Sequence, residues 1–182
     1  MNATSARFAL RTATAEAHER LDRLFSRFDL SDRGGYREFL TAQAGAFLVV
    51  EAALDRAGAG EILPDWDDRK RSHALTEDVR ALSIAANEVV APTFKTEAEI
   101  LGGVYVLEGS RLGGAMLLRR VPAGMPAAFL SPGAPSAWRA LVSVLDERLN
   151  SPTALNEAVG AATSVFHAFE TSANRILGAF HS

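Results

Sequence analysis

Five glycines inside an otherwise helical segment constrain this chain more than any other feature. The stretch Gly102-Gly103-Val104-Tyr105-Val106-Leu107-Glu108-Gly109-Ser110-Arg111-Leu112-Gly113-Gly114 lies within Thr96 to Arg120, a span without proline. Glu97 and Glu99 stand early and Arg119 and Arg120 late, the order that complements the helix macrodipole. Each mid-helix glycine costs about 1 kcal/mol relative to alanine, so the set forfeits roughly 4–5 kcal/mol of intrinsic helicity. At about 100° per residue, Gly102, Gly109 and Gly113 share an arc of roughly 40°, and Gly103 and Gly114 pair on an adjacent one. Such a helix presents bare backbone to something that comes close, either a second helix or a bound ligand. Periodicity alone leaves the two readings level.

The flanking sequence is helical as well. Leu10, Ala13, Ala17, Leu21, Leu24 and Phe28 recur at helical period over residues 5–28, with Thr4 or Ser5 as the N-cap. Ser31 or Asp32 caps a long second helix to about Ala57, and Gly58-Ala59-Gly60 ends it. Pro64-Asp65-Trp66 opens a short polar helix through Lys70 and Arg71, and Thr76-Glu77-Asp78-Val79 reads as a capped turn leading to Leu82. Beyond the glycine-marked helix, Pro122 to Pro135 reads as an ordered, proline-rich loop. Ser136 to Leu149 forms a helix, and Pro152 starts the last one. Alternating strand patterns, internal repeats and dividing linkers are missing. The expectation is one all-α domain over residues 1–182, a bundle of about seven or eight helices.

Composition closes off several classes of function. A net charge of −3 gives no electrostatic case for nucleic acid. The chain has no cysteine, which removes thiolate catalysis, disulfides and cysteine-ligated metal clusters. No apolar run approaches the length of a membrane span and no secretory h-region opens the chain, so a cytoplasmic setting without membrane is expected.

The glycine segment lacks the Gly-Lys-Ser/Thr ending of a P-loop, and no strand precedes it as a dinucleotide-binding turn requires. Of the four histidines, His73 sits in a charged stretch and His181 at the tail, and no pairing at helical spacing suggests a multi-ligand metal centre. A lone His18 beside an apolar stripe is more often structural than a ligand. Arg11, however, lies two turns earlier on the same strip, about 10.5 Å along the axis. An imidazole and a guanidinium so spaced suit a macrocycle with a metal at its centre and a carboxylate at its rim, the needs of haem.

At these residues the chain resembles a known family. Leu10-Arg11-Thr12-Ala13-Thr14-Ala15-Glu16-Ala17-His18, with Leu21-Asp22 after it, is similar to the proximal-helix motif of haem oxygenases. Tyr105 to Gly114 resembles their distal-helix motif in the bacterial, phytochrome-associated form. The resemblance implies haem held between two helices, with His18 as the iron ligand and Gly109 and Gly113 placing bare backbone over the ring. Haem would be both cofactor and substrate, cleaved with O2 to biliverdin, carbon monoxide and ferrous iron. Electrons would come from an external reductase or ferredoxin, and a biliverdin-accepting phytochrome is an implied partner.

The same resemblance assigns further residues. Ser110 stands where the animal enzymes carry aspartate, which implies a water-mediated network. Arg11 keeps the charge of the family's proximal lysine, and Arg139 falls near a second carboxylate-binding lysine. Arg111 replaces a smaller polar residue, and the segment Leu130 to Pro135 departs from the family's glycine- and aromatic-rich loop. Two other readings stay open at this point. One is a tetrapyrrole carrier on the same fold without turnover, and the other is a helical interaction module whose glycines serve packing alone.

Overall fold

The computed structural model describes residues 5–179 and contains nine α-helical segments among them. These are α1 (Ala6–Ala13), α2 (Ala15–Phe25), α3 (Arg33–Arg56), α4 (Ala59–Ile62), α5 (Trp66–Arg69), α6 (Ser72–Ala81), α7 (Glu97–Leu118), α8 (Pro135–Arg148) and α9 (Pro152–Ala179). Since α4 and α5 are single turns of four residues, seven helices of substantial length remain, as the hydrophobic periodicity implies. No strand is present among the described residues, and no helix is long and apolar enough to cross a membrane.

Helix α9 is the spine. It packs most extensively on α7, then on α3 and α2. Two close approaches require small residues at the crossings. A Cβ built on Gly102 of α7 would stand 2.1 Å from the Ala158 carbonyl oxygen of α9, and one on Gly45 of α3 would stand 2.4 Å from Ser172 Oγ. Ser172 donates to the Ala42 carbonyl at 2.7 Å, so the α3–α9 crossing carries a hydrogen bond within the apolar core.

Local chemistry sets the helix ends. The Asp32 carboxylate accepts from the Gly34 and Gly35 amides at 2.8 and 3.0 Å and starts α3. Gly58, in the left-handed region at φ 95°, follows its end. Thr96 and Glu99 form a reciprocal capping box at the start of α7.

Three local expectations are corrected. The first helix is not continuous over residues 5–28: it breaks at Thr14, whose φ of −103° and ψ of 5° leave the helical range and whose buried hydroxyl shares the Leu10 carbonyl with its own amide, at 2.8 and 3.0 Å. Ser5 precedes α1 without a side-chain cap and its hydroxyl bonds Asp146 instead; Thr4 lies outside the described residues. Thr76 is not a turn residue but sits inside α6, where Leu75 and Val79, one turn apart, are buried together.

Candidate functional site

The break at Thr14 brings the N-terminal helices to the glycine-marked helix at one point. The Thr14 hydroxyl, whose proton goes to the Leu10 carbonyl, lies near the Tyr105 phenol on α7, whose pKa is raised by burial. One turn further along each helix, about 6 Å, stand His18 on α2 and Gly109 on α7. Each helix then packs on α9, and no extended interface joins α2 to α7. Both faces beyond the contact are open. The His18 side chain is 62% exposed, and a Cβ built on Gly109 or Gly113 meets no other described atom within 4 Å.

The five glycines therefore divide. Gly102 abuts the α9 backbone, Gly103 meets Leu54 and Phe94, and Gly114 meets the Leu130 carbonyl at 2.8 Å. These three serve packing. Gly109 and Gly113 bound open space, and the residues interleaved with them are apolar yet exposed, Leu112 at 58% and Met116 at 73%. Residues 109, 112, 113 and 116 follow helical spacing and form one stripe, and an exposed apolar stripe over bare backbone is a surface suited to a flat apolar ligand. Leu112 and Met116 escaped the sequence reading, although this spacing was the signal for them.

On the opposite side His18 is oriented from two directions. Its Nδ1 lies 3.0 Å from the Asp22 carboxylate, one turn on, and its ring meets Phe166 of α9 edge-on at 5.9 Å. Nδ1 faces this carboxylate, so Nε2 is the nitrogen left for a metal. Among the described residues no group of three or more histidine, aspartate or glutamate side chains could hold a metal ion. A metal at this place would have a single protein ligand, His18.

Beneath the open stripe lies a buried charge cluster that sequence reasoning missed. Arg69, Arg71, Glu51 and Glu108 are all at most 5% exposed. Arg69 clamps Asp65 with two hydrogen bonds and reaches Glu108 at 3.1 Å; Arg111, on the next turn of α7, approaches the other Glu108 oxygen at 3.5 Å. Arg71 stacks between Phe47 and Phe129, its guanidinium 4.7 and 4.9 Å from the ring centres. Burial, with the repulsion of Arg111 added, pulls the Arg71 pKa down to about 10. Nothing in the sequence around Arg69 and Arg71 marks them as buried, because both stand in a run of charges.

Arg71 also fixes Ser110. One guanidinium nitrogen donates to the Leu107 carbonyl at 2.6 Å and to Ser110 Oγ at 2.8 Å, while Ser110 itself donates to the Leu107 carbonyl at 2.7 Å. The serine proton is thus committed within the helix. In this arrangement Ser110 can accept a hydrogen bond from the open side but not give one.

The two cations singled out from the sequence are both exposed. Arg11 belongs to the contact region, where its charge acts on the Tyr105 phenol. Arg139 follows Trp138 on α8, and Trp138 packs on Tyr105 with ring centres 6.2 Å apart; no interaction joins Arg139 to His18 or Gly109. His73 is exposed, as its charged neighbourhood implies, and His181 lies outside the described residues.

The fold and this arrangement define a helical bundle of the haem oxygenase type. The chain is similar over 97% of its length to the solved NO- and CO-bound heme oxygenase from Neisseria meningitidis, with a TM-score of 0.82, 94% of that chain covered and 23% identity. It is 37% identical over 113 residues to the heme oxygenase of Xanthomonas campestris pv. campestris (strain 8004), spanning 58% of this chain and 68% of that protein. No family model matches the sequence. The chain belongs to the haem oxygenase family.

Proposed function

We propose that this chain is a haem oxygenase in which haem lies between His18 and the stripe of Gly109 and Gly113, and is cleaved with oxygen and external electrons to biliverdin, carbon monoxide and ferrous iron. The observation that carries the reading is that one exposed imidazole held beside Asp22 and one bare, apolar helix face stand one turn beyond Thr14 and Tyr105 on their helices. The residues fit the group. There is one imidazole for the iron, an apolar stripe for the ring, and exposed cations for its carboxylates.

Bound haem supplies the iron at which oxygen is activated and the ring carbon that is oxidised. The protein's own residues do the rest. Asp22, beside Nδ1, leaves Nε2 to the iron and raises its donor strength. Gly109 and Gly113 keep side chains away from the face where oxygen enters, while Leu112 and Met116 exclude bulk water around it. Ser110, pinned by Arg71, offers an oxygen lone pair to an ordered water. Arg11 and Arg139 hold the ring carboxylates. Electrons come from a reductase or ferredoxin, since the chain carries no cysteine for an iron–sulfur cluster. A phytochrome that takes up biliverdin in the cytoplasm is the partner implied by the motifs.

Turnover is tested by adding a reductant to the hemin-loaded protein in oxygenated buffer. Loss of the haem absorption with stoichiometric biliverdin and carbon monoxide is expected. Stable haem without product would make the chain a carrier, and failure to bind hemin would remove the reading altogether.

A further inference from the structure

The first turns of α1 carry a cation that the family resemblance does not assign. Arg7 lies one turn before Arg11 on the same strip of α1, about 6 Å along the axis. Its guanidinium carbon stands 5.8 Å over the Trp138 ring of α8. That ring packs against Tyr105, which stands one turn before Gly109 on α7.

The charges of Arg7 and Arg11 both act on the Tyr105 phenol. Burial raises the Tyr105 pKa, and the two guanidiniums oppose the rise, Arg7 more strongly than Arg11. Both arginines are exposed, and neither is paired with a carboxylate among the described residues. Several other cations of the bundle are paired. Arg20 takes Glu170, Arg148 takes Glu97, and Lys70 takes Asp55 and Asp67.

Two like charges held together on one helix strip repel unless an anion joins them. Here an aromatic platform, Trp138, holds one of them beside Tyr105. A guanidinium ordered by stacking loses less freedom on binding than a free side chain, and its planar fork suits a carboxylate.

We propose that Arg7 acts together with Arg11 as a two-guanidinium clamp for the paired ring-edge carboxylates of the bound tetrapyrrole, with Trp138 as the platform that presents Arg7. The inference rests on the haem reading above and adds a binding residue to it. Through the carboxylates the clamp sets how the ring sits in its own plane, so Arg7 is also a determinant of which ring carbon lies under the open face.

Ligand chemistry separates this role from a structural one. Hemin and its dimethyl ester, which lacks the free carboxylates, are titrated into wild type, Arg7→Gln and Arg7→Lys, with thermal melting of each ligand-free protein. Arg7→Gln is expected to weaken hemin binding about tenfold and ester binding less than twofold, with Arg7→Lys between wild type and Arg7→Gln for hemin. The melting temperatures should coincide. Equal losses for both ligands, or unchanged hemin affinity, would overturn the clamp while leaving the haem reading intact. Absence of hemin binding by the wild type would overturn both.

Discussion

Alanine substitution along α7 should separate the packing glycines from the ligand-facing ones by the sign of the effect on stability. At Gly109 and Gly113 a methyl group meets no other described atom within 4 Å, so only helix propensity changes. That favours the variant by about 0.5–1 kcal/mol, or roughly 1–4 °C in melting temperature for a chain of this size. At Gly102 the same methyl would come 2.1 Å from the Ala158 carbonyl oxygen and 2.8 Å from its carbon. Helices α7 and α9 would have to separate by about 1 Å at their main interface, and overpacking of this kind costs about 1–3 kcal/mol or more, exceeding the propensity gain. Gly102→Ala should therefore melt lower than wild type, while Gly109→Ala and Gly113→Ala melt higher. Hemin affinity should run the other way for the last two, falling about tenfold or more because the added methyl occupies the ligand's face. Circular dichroism melts of the ligand-free proteins and hemin titrations measure both quantities. A lower melting temperature for Gly109→Ala would show that its face is packed, and a higher one with unchanged hemin affinity would show that the ligand lies elsewhere.

Three further outcomes follow from particular side chains. Asp22→Asn keeps an acceptor for His18 Nδ1 but removes the charge, so hemin should dissociate about 10–100-fold faster and the iron–histidine stretch should fall; an unchanged stretch would detach Asp22 from the ligand. Arg71→Met leaves Ser110 and the Leu107 carbonyl without their buried donor and unbalances Glu51 and Glu108, which should lower stability by about 3 kcal/mol in urea denaturation; a loss below about 0.5 kcal/mol would contradict the cluster's role. Tyr36 and Tyr105, the chain's two tyrosines, have phenol pKa values raised by burial, so their contribution to stability is full below pH 10 and is lost as the pH rises above it, towards the folded values. Phenolate absorbance should appear together with unfolding; half of it appearing near pH 10 with the helical signal intact would refute this.

Legibility from sequence followed the range of the interactions. The helices and most of their ends were readable because period and caps act within a few residues, as at Asp32, Gly58 and Thr96. The break at Thr14 was not, since a threonine bonding back to Leu10 looks like any other helical threonine until its hydroxyl is buried. On α7 the periodicity grouped Gly102 with Gly109 and Gly113, yet Gly102 packs on α9 and the other two face open space. One arc of a long helix crosses different neighbours along its length. The burial of Arg69 and Arg71, within what reads as a short polar helix, was not legible because their partners, Glu108, Leu107 and Ser110, lie some forty residues away. Arg111, which had no role from sequence, proves to share Glu108 with Arg69 and to press on Gly133, where a Cβ would stand 2.5 Å from its Cδ. The arginine occupies the space that the glycine leaves.

The most direct measurement concerns the iron ligand. Hemin is added to wild type and His18→Ala, the axial ligand is identified by absorption and electron paramagnetic resonance, and imidazole is then added to the variant. Stoichiometric binding with one histidine ligand is expected for wild type, loss of that signature for His18→Ala, and its return with imidazole. A His18→Ala protein that keeps the wild-type histidine-ligated spectrum would place the iron elsewhere and contradict the site between α2 and α7.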